Sequence, residues 1–131
     1  MFLYPSLITA LALVLFFVVT QRVGAARGRY KVALPATTGH PDFERYYRVQ
    51  MNTLEQLALF LPALWLFAAY VSPIWAGALG AIWLLGRIAF ARGYYKVTEK
   101  RVPGFIVAML ASSILLLGAI IAILREIAAT L

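Results

Sequence analysis

The sequence predicts an all-α integral membrane protein, a four-helix bundle, and three observations lead to that fold class. Of the 131 residues, 63% are hydrophobic and only 13% are charged, whereas a soluble domain carries about 25% charged residues. The apolar residues run in long uncharged stretches, and a bilayer-spanning helix needs about 20 such residues. The charged residues are crowded between these stretches. We therefore expect residues 1–131 to form a single transmembrane domain surrounded by lipid.

The uncharged stretches place the four helices. The first covers residues 1–21, and no Lys or Arg precedes it, so we expect a membrane helix rather than a secretory signal. Residues 56–86 are also uncharged, and Ser72-Pro73 divides them by turn chemistry. Each half is too short to span alone, so the second helix must begin earlier and the third must continue through Arg87. We expect helices at about residues 2–30, 43–71, 74–95 and 103–128.

The net charge of the chain is +7, and the distribution of its basic residues along the sequence predicts the orientation in the membrane. Basic residues collect in the first and third connections, whereas the second connection carries no charge. Because Lys and Arg favour the cytoplasmic side of short loops, we expect connections one and three in the cytoplasm and both termini on the opposite side. The same distribution argues against a nucleic-acid partner. The basic residues of the first charged stretch are Arg22, Arg27, Arg29, Lys31 and Arg45.

The chain contains no cysteine and one histidine, His40. It therefore has no disulfide and no cysteine nucleophile, and any thiol chemistry must use a thiol that a ligand supplies. A single loop histidine is more often solvated than a ligand, and no metal cluster can be assembled around it. We expect no metal site.

A polar stripe marks the start of the second helix. Arg45, Arg48, Asn52 and Glu55 are spaced three, four and three residues apart, so they share one face of a helix. Ionisable groups that enter the membrane are costly unless they are paired or face a polar cavity. Arg87 on the third helix lies at comparable depth, and we expect it to pair with Glu55.

Two interpretations of this stripe stay open. The charges either pair only with one another and join the helices, or they form a ligand site. Arg48, Arg87 and Arg101 converge with Glu55 as their one carboxylate, and arginine forks bind carboxylates bidentately. This excess favours a zwitterionic, peptide-like ligand that has more carboxylates than amines.

Three motifs resemble the MAPEG family, the membrane-associated proteins of eicosanoid and glutathione metabolism. They are P-x-T-T-G from Pro35 to Gly39, F-E-R-x-Y-R-x-Q-x-N-x-x-E from Phe43 to Glu55, and the stretch from Gly86 to Phe105. The last is similar to the bacterial branch, typified by microsomal glutathione transferase-like members. The resemblance covers essentially the whole chain. It implies a homotrimer in the bacterial inner membrane, with a glutathione site at each subunit interface that opens toward connections one and three.

The resemblance also implies the site residues. Arg101 matches the arginine that stabilises the glutathione thiolate in catalytic members, and a guanidinium beside the sulfur favours the thiolate. The remaining matches bind glutathione: from one subunit Arg48, Asn52, Glu55, Arg87 and Tyr94, and from the adjacent subunit Arg27 and Gln50.

The chain departs from the family pattern at three positions. Phe90 and Gln56 stand where several members have tyrosine, and Gly28 replaces an arginine of some eukaryotic members. The loss of these groups argues against a dedicated leukotriene synthase and favours a more general transferase.

The sequence is compatible to different degrees with three functions. The first is a glutathione transferase, with possible peroxidase activity, that acts on lipophilic electrophiles or lipid hydroperoxides at the membrane edge. The alternative is a non-catalytic lipid-binding or scaffolding member of the same fold. A four-helix cation exporter fits least well, because the first helix holds no acidic residue and the arginine excess would repel cations. We expect the enzyme.

Overall fold

The computed structural model describes all 131 residues and contains four long helices. Each is long and apolar enough to cross a membrane, so the predicted all-helical membrane protein with four spans is confirmed. A 3-10 turn at Thr98–Arg101 precedes the last helix. The helices are α1 (Leu3–Arg29), α2 (Pro41–Tyr70), α3 (Pro73–Lys96) and α4 (Val102–Thr130).

The start of α2 is fixed by a side-chain cap. The Nδ1 atom of His40 accepts a hydrogen bond from the backbone N–H of Asp42 at 3.1 Å, and Pro41 occupies the first helical position. The imidazole also stacks on Tyr30, with 4.5 Å between ring centroids. The helix therefore begins at Pro41, two residues before the predicted start. His40 is a half-buried cap rather than a freely solvated loop residue.

The start of α3 is likewise fixed by a side-chain cap followed by proline. The hydroxyl of Ser72 accepts a hydrogen bond from the backbone N–H of Trp75 at 3.2 Å, and Pro73 stands at the first helical position. Proline is well suited to this position because its missing N–H would have no helical partner. Only Val71 and Ser72 separate α2 from α3, as the turn chemistry of this segment predicts.

The main core lies between all four helices and is built from aromatic and aliphatic side chains. The rings of Phe60 and Trp83 stack with 3.8 Å between their centroids, and Leu64 and Leu115 are fully buried beside them. By contrast, α1 and α4 leave many large apolar side chains exposed. Because a soluble monomer rarely exposes so large an apolar surface, these faces need lipid or another subunit to cover them.

The closest helix contact joins α3 to the first turns of α4. A Cβ atom at Gly86 would lie 2.9 Å from the backbone N of Ala108 and 3.0 Å from the carbonyl oxygen of Gly104. Added at Gly104, a Cβ would meet the backbone of Phe90. Small residues that let two backbones approach are typical of membrane helix interfaces. This contact holds the start of α4 against the charged end of α3.

Candidate functional site

A cleft of about 350 Å³ opens where α2, α3 and the start of α4 meet. Its volume lies within the range of small-molecule sites, about 300–1,000 Å³. Four of the residues predicted for the site line it together, although they come from three separate helical elements. The lining residues are Arg48 and Asn52 of α2, Phe90 and Tyr94 of α3, and Arg101, Val102 and Phe105 at the start of α4.

Arg101 is held in place from two sides. Its Nη1 atom donates a hydrogen bond to the carbonyl oxygen of Thr98 at 2.8 Å, and its guanidinium carbon lies 5.7 Å from the ring centroid of Tyr94. Gly93 makes this arrangement possible, because a Cβ atom there would collide with the carbonyl group of Lys100. The 3-10 turn can therefore lie directly on the end of α3. Arg101 is presented to the cleft at the N-terminus of α4, where the helix dipole adds partial positive charge.

The α2 side of the cleft is polar and accessible. Arg48 forms an ion pair with Glu55 at 3.7 Å between Nη2 and Oε1, and both side chains are about half exposed. Glu55 does not itself line the cleft. The Oδ1 atom of Asn52 is buried and accepts no hydrogen bond within the chain. Two arginines and no carboxylate line the cleft, which therefore attracts anions.

Arg87 does not line the cleft, although the sequence predicted it there, paired with Glu55. Its side chain is fully buried, its Nη2 atom donates to the hydroxyl of Thr53 at 3.1 Å, and its guanidinium carbon lies 4.1 Å from the ring centroid of Phe90. The expected pair with Glu55 is not formed. Thr53 and Glu55 are two residues apart on α2 and point to different faces of the helix, so a side chain bonded to one is turned away from the other. Arg87 thus stands behind the cleft wall rather than in it.

Arg27 and Gln50 do not line the cleft of their own chain. The Nη1 atom of Arg27 donates to the carbonyl oxygen of Ala36 at 2.7 Å, and its guanidinium carbon lies 4.8 Å from the ring centroid of Phe43. These contacts stabilise the conformation of the first connection. The amide of Gln50 donates to the hydroxyl of Thr20 on α1 at 3.4 Å. The resemblance assigns these two residues to the cleft of an adjacent subunit.

The sequence reasoning missed three residues that shape the site. Val102 and Phe105 supply the apolar part of the cleft, and Thr53 binds the buried Arg87. Phe105 follows Arg101 by four residues, so helical spacing alone would have placed both on one face of α4. No sequence signal identified Thr53, because a threonine inside an amphipathic helix is unremarkable without knowledge of its neighbour.

Several known proteins are similar to this chain in amino-acid sequence. An uncharacterized protein of Synechocystis sp. is 58% identical over 125 residues, which cover 95% of this chain and 91% of that protein. Microsomal glutathione S-transferase 2 of Homo sapiens is 38% identical over 100 residues, 76% of this chain and 68% of the transferase. Leukotriene C4 synthase of Bos taurus is 34% identical over 94 residues, 72% of this chain and 63% of the synthase.

The family comparison covers all the residues that form the cleft. The sequence profile of the MAPEG family matches residues 5–121, a range that runs from the first turn of α1 deep into α4. Four membrane-spanning helices and a cation-lined cleft at one end of the bundle agree with that match. The chain belongs to the MAPEG family.

Proposed function

We propose that this protein is a membrane-bound glutathione transferase that binds glutathione in the cleft and stabilises its thiolate with Arg101. The observation that carries the proposal is that Arg48, Asn52, Tyr94 and Arg101, from three helical elements, line one cleft without a carboxylate among them. The names of the human and bovine relatives support the same class of reaction.

The cleft matches the charges of glutathione, which carries two carboxylates and one ammonium group. Arg48 is half exposed and can form two parallel hydrogen bonds with a carboxylate. Glu55 lies outside the cleft but pairs with Arg48 of its lining, and we place the ammonium group at this outer side. Asn52 lines the cleft, and rotation of its side chain would let the unpaired Oδ1 atom accept a hydrogen bond from a peptide N–H.

Thiolate formation is the second part of the proposal. A free thiol has a pKa of about 8.5, and the thiolate is the nucleophile. Arg101 and the N-terminus of α4 place positive charge in the cleft, which lowers the pKa of a thiol bound there. The thiol proton leaves to solvent through the exposed side of the cleft. Binding then brings the thiolate and a second substrate together, which removes the entropic cost of their encounter.

The second substrate is a lipophilic electrophile or a lipid hydroperoxide. Val102 lines the cleft and is 44% exposed, so the cleft has an apolar edge at which a membrane-dissolved molecule can enter. With an electrophile, the thiolate sulfur forms a bond to carbon and the leaving group or carbon anion takes up a proton. With a hydroperoxide, two glutathione molecules give the disulfide, an alcohol and water.

The proposal includes a homotrimer in the bacterial inner membrane, with connections one and three in the cytoplasm. Arg27 and Gln50 do not line the cleft of their own chain, and the resemblance to the family assigns them to the cleft of a neighbour. The exposed apolar faces of α1 and α4 supply surface for both lipid and neighbouring subunits.

The test is glutathione binding to detergent-purified protein, followed by ultraviolet difference absorbance of the thiolate. We expect the thiolate band at neutral pH, its loss in Arg101→Ala, and no change in Lys100→Ala, which removes the neighbouring exposed charge outside the cleft. Binding without a thiolate band in the wild type would mark a glutathione carrier or a site that does not activate the thiol. Absence of glutathione binding would refute the proposed site and favour the non-catalytic lipid-binding or scaffolding alternative.

A further inference from the structure

A second groove lies on the outside of the bundle, between α1 and α3. It has a volume of about 530 Å³ and shares no residue with the glutathione cleft. One end is basic and carries Arg22, Arg92 and Lys96. The other end is apolar and carries Leu15, Val19 and Ile88. We call it the α1–α3 groove.

The three cations of the α1–α3 groove have no acidic partner. The ion pairs of the chain join Arg45 to Asp42 and Arg48 to Glu55, and both lie outside the groove. No aspartate or glutamate lines the groove. Three unpaired positive charges that converge on one concave surface favour an anionic ligand.

The position of Arg22 is set by aromatic contacts. Its guanidinium carbon lies 5.5 Å from the ring centroid of Tyr95, a distance typical of cation–π contacts. Tyr95 in turn stacks on Tyr46 of α2, with 4.3 Å between the ring centroids. The side chain of Arg22 is therefore held near the groove before any ligand arrives, which reduces the entropy lost on binding.

The arrangement of charge along the groove matches one class of ligand. Lys96 is the last residue of α3, beside the charged third connection, and Ile88 lies eight residues earlier, about 12 Å along the helix toward its apolar middle. Ile88 and Val18 are exposed on the outer surface of the bundle, so this end of the groove is open to an apolar ligand such as an acyl chain. A free phosphate ion would use only the basic end, whereas a phospholipid fits both ends.

We propose that the α1–α3 groove binds an anionic phospholipid from the leaflet on the side of the charged connections. The headgroup phosphate lies among Arg22, Arg92 and Lys96, and one acyl chain lies against Leu15, Val19 and Ile88. Basic pockets between membrane helices at this depth bind anionic headgroups by the same electrostatic attraction.

The experiment measures lipid retention by native mass spectrometry of the detergent-purified full chain. Phosphatidylglycerol and phosphatidylcholine with identical acyl chains are added separately. We expect preferential retention of phosphatidylglycerol by the wild type. In the variant Arg22→Gln/Arg92→Gln/Lys96→Gln, that preference should fall at least about tenfold. A matched control, Lys31→Gln/Lys100→Gln/Arg125→Gln, also loses three exposed charges but none from the groove, and should behave as wild type.

Other outcomes would overturn the proposal. Equal retention of both lipids by the wild type, or equal loss of preference in the groove variant and the control, would show that the groove does not select anionic lipid. Displacement of phosphatidylglycerol by inorganic phosphate would mark a free-anion site. A changed subunit number in the groove variant with unchanged lipid retention would mark a subunit interface. If the triple variant does not fold, the single exposed change Arg92→Gln carries the test, with a smaller loss of preference in the same direction.

Discussion

The guanidinium of Arg87 donates a hydrogen bond of 3.1 Å to the hydroxyl of Thr53, inside the bundle and without a carboxylate partner. The Nε and Nη1 atoms of Arg87 are buried and have no hydrogen-bond partner within the chain. The contact with Thr53 is thus the one direct hydrogen bond that the chain gives this cation. It joins α2 to α3 directly behind Phe90, which lines the cleft.

The variant Thr53→Val should lower the free energy of unfolding by about 1 kcal/mol. Side-chain hydrogen bonds inside membrane bundles average about 0.6 kcal/mol and reach about 1.7, and here the loss leaves a buried cation with no partner in the chain. Unfolding in detergent mixtures with increasing dodecyl sulfate measures the change. Ser6→Ala serves as the control, because its exposed hydroxyl bonds only the carbonyl oxygen of Phe2 in its own helix. Equal stability of Thr53→Val and wild type would show that Arg87 does not depend on this bond.

Arg48→Gln should weaken glutathione binding about 10- to 100-fold, because hydrogen bonds to charged groups contribute about 1.5–3 kcal/mol. Stability should change by less than about 1 kcal/mol, because the ion pair that Arg48 forms with Glu55 is about half exposed to solvent. Calorimetric titration with glutathione and detergent unfolding measure the two quantities separately. Arg45→Gln removes a charge from the same stretch of α2 but outside the cleft, and should leave glutathione affinity unchanged. Lost stability with retained binding in Arg48→Gln would instead mean that Arg48 has only a structural role, through its pair with Glu55 within α2.

Phe90→Tyr should tighten glutathione binding about two- to tenfold. The resemblance to the family implies a tyrosine here in several members, and one hydrogen bond contributes about 0.5–1.5 kcal/mol. Phe90 lies in the cleft wall, with the guanidinium of Arg87 behind it over its ring and the ring of Tyr94 nearly perpendicular to it. Phe105→Tyr adds a hydroxyl to another wall of the same cleft and is the control. Equal effects of the two substitutions would show that a hydroxyl at position 90 has no specific role.

The helices were predictable from sequence, whereas contacts between them were not. Uncharged stretches and the Ser72-Pro73 turn place the four spans, because the bilayer thickness fixes their length and proline fixes where α3 begins. The face shared by Arg48 and Asn52 follows from helical spacing alone. The partner of Arg87 does not, because it depends on the rotation of α3 relative to α2. That rotation is set by packing between the helices, which a single sequence does not display.

Packing at Gly104 gives the last prediction, and it connects helix contact to thiolate formation. A Cβ atom at Gly104 would collide with backbone atoms of Phe90, so Gly104→Ala must push the start of α4 away from α3. Overpacking of this kind costs about 1–3 kcal/mol, and the displacement moves Arg101 away from Tyr94. We expect a lower stability in detergent and a weaker thiolate band with bound glutathione.

The matched control for Gly104→Ala is Gly24→Ala on α1, where a Cβ atom meets nothing within 4 Å. Alanine stabilises a helix interior by about 0.5–1 kcal/mol relative to glycine, so this variant should be as stable as wild type or more so, with a full thiolate band. A full thiolate band in a destabilised Gly104→Ala protein would show that Arg101 reaches the sulfur without the close contact of α3 and α4. If Gly104→Ala instead loses both its stability and the thiolate band, the position of Arg101 depends on the close contact of α3 and α4. The reason is that the 3-10 turn ending at Arg101 leads directly into the first turn of α4, which holds Gly104.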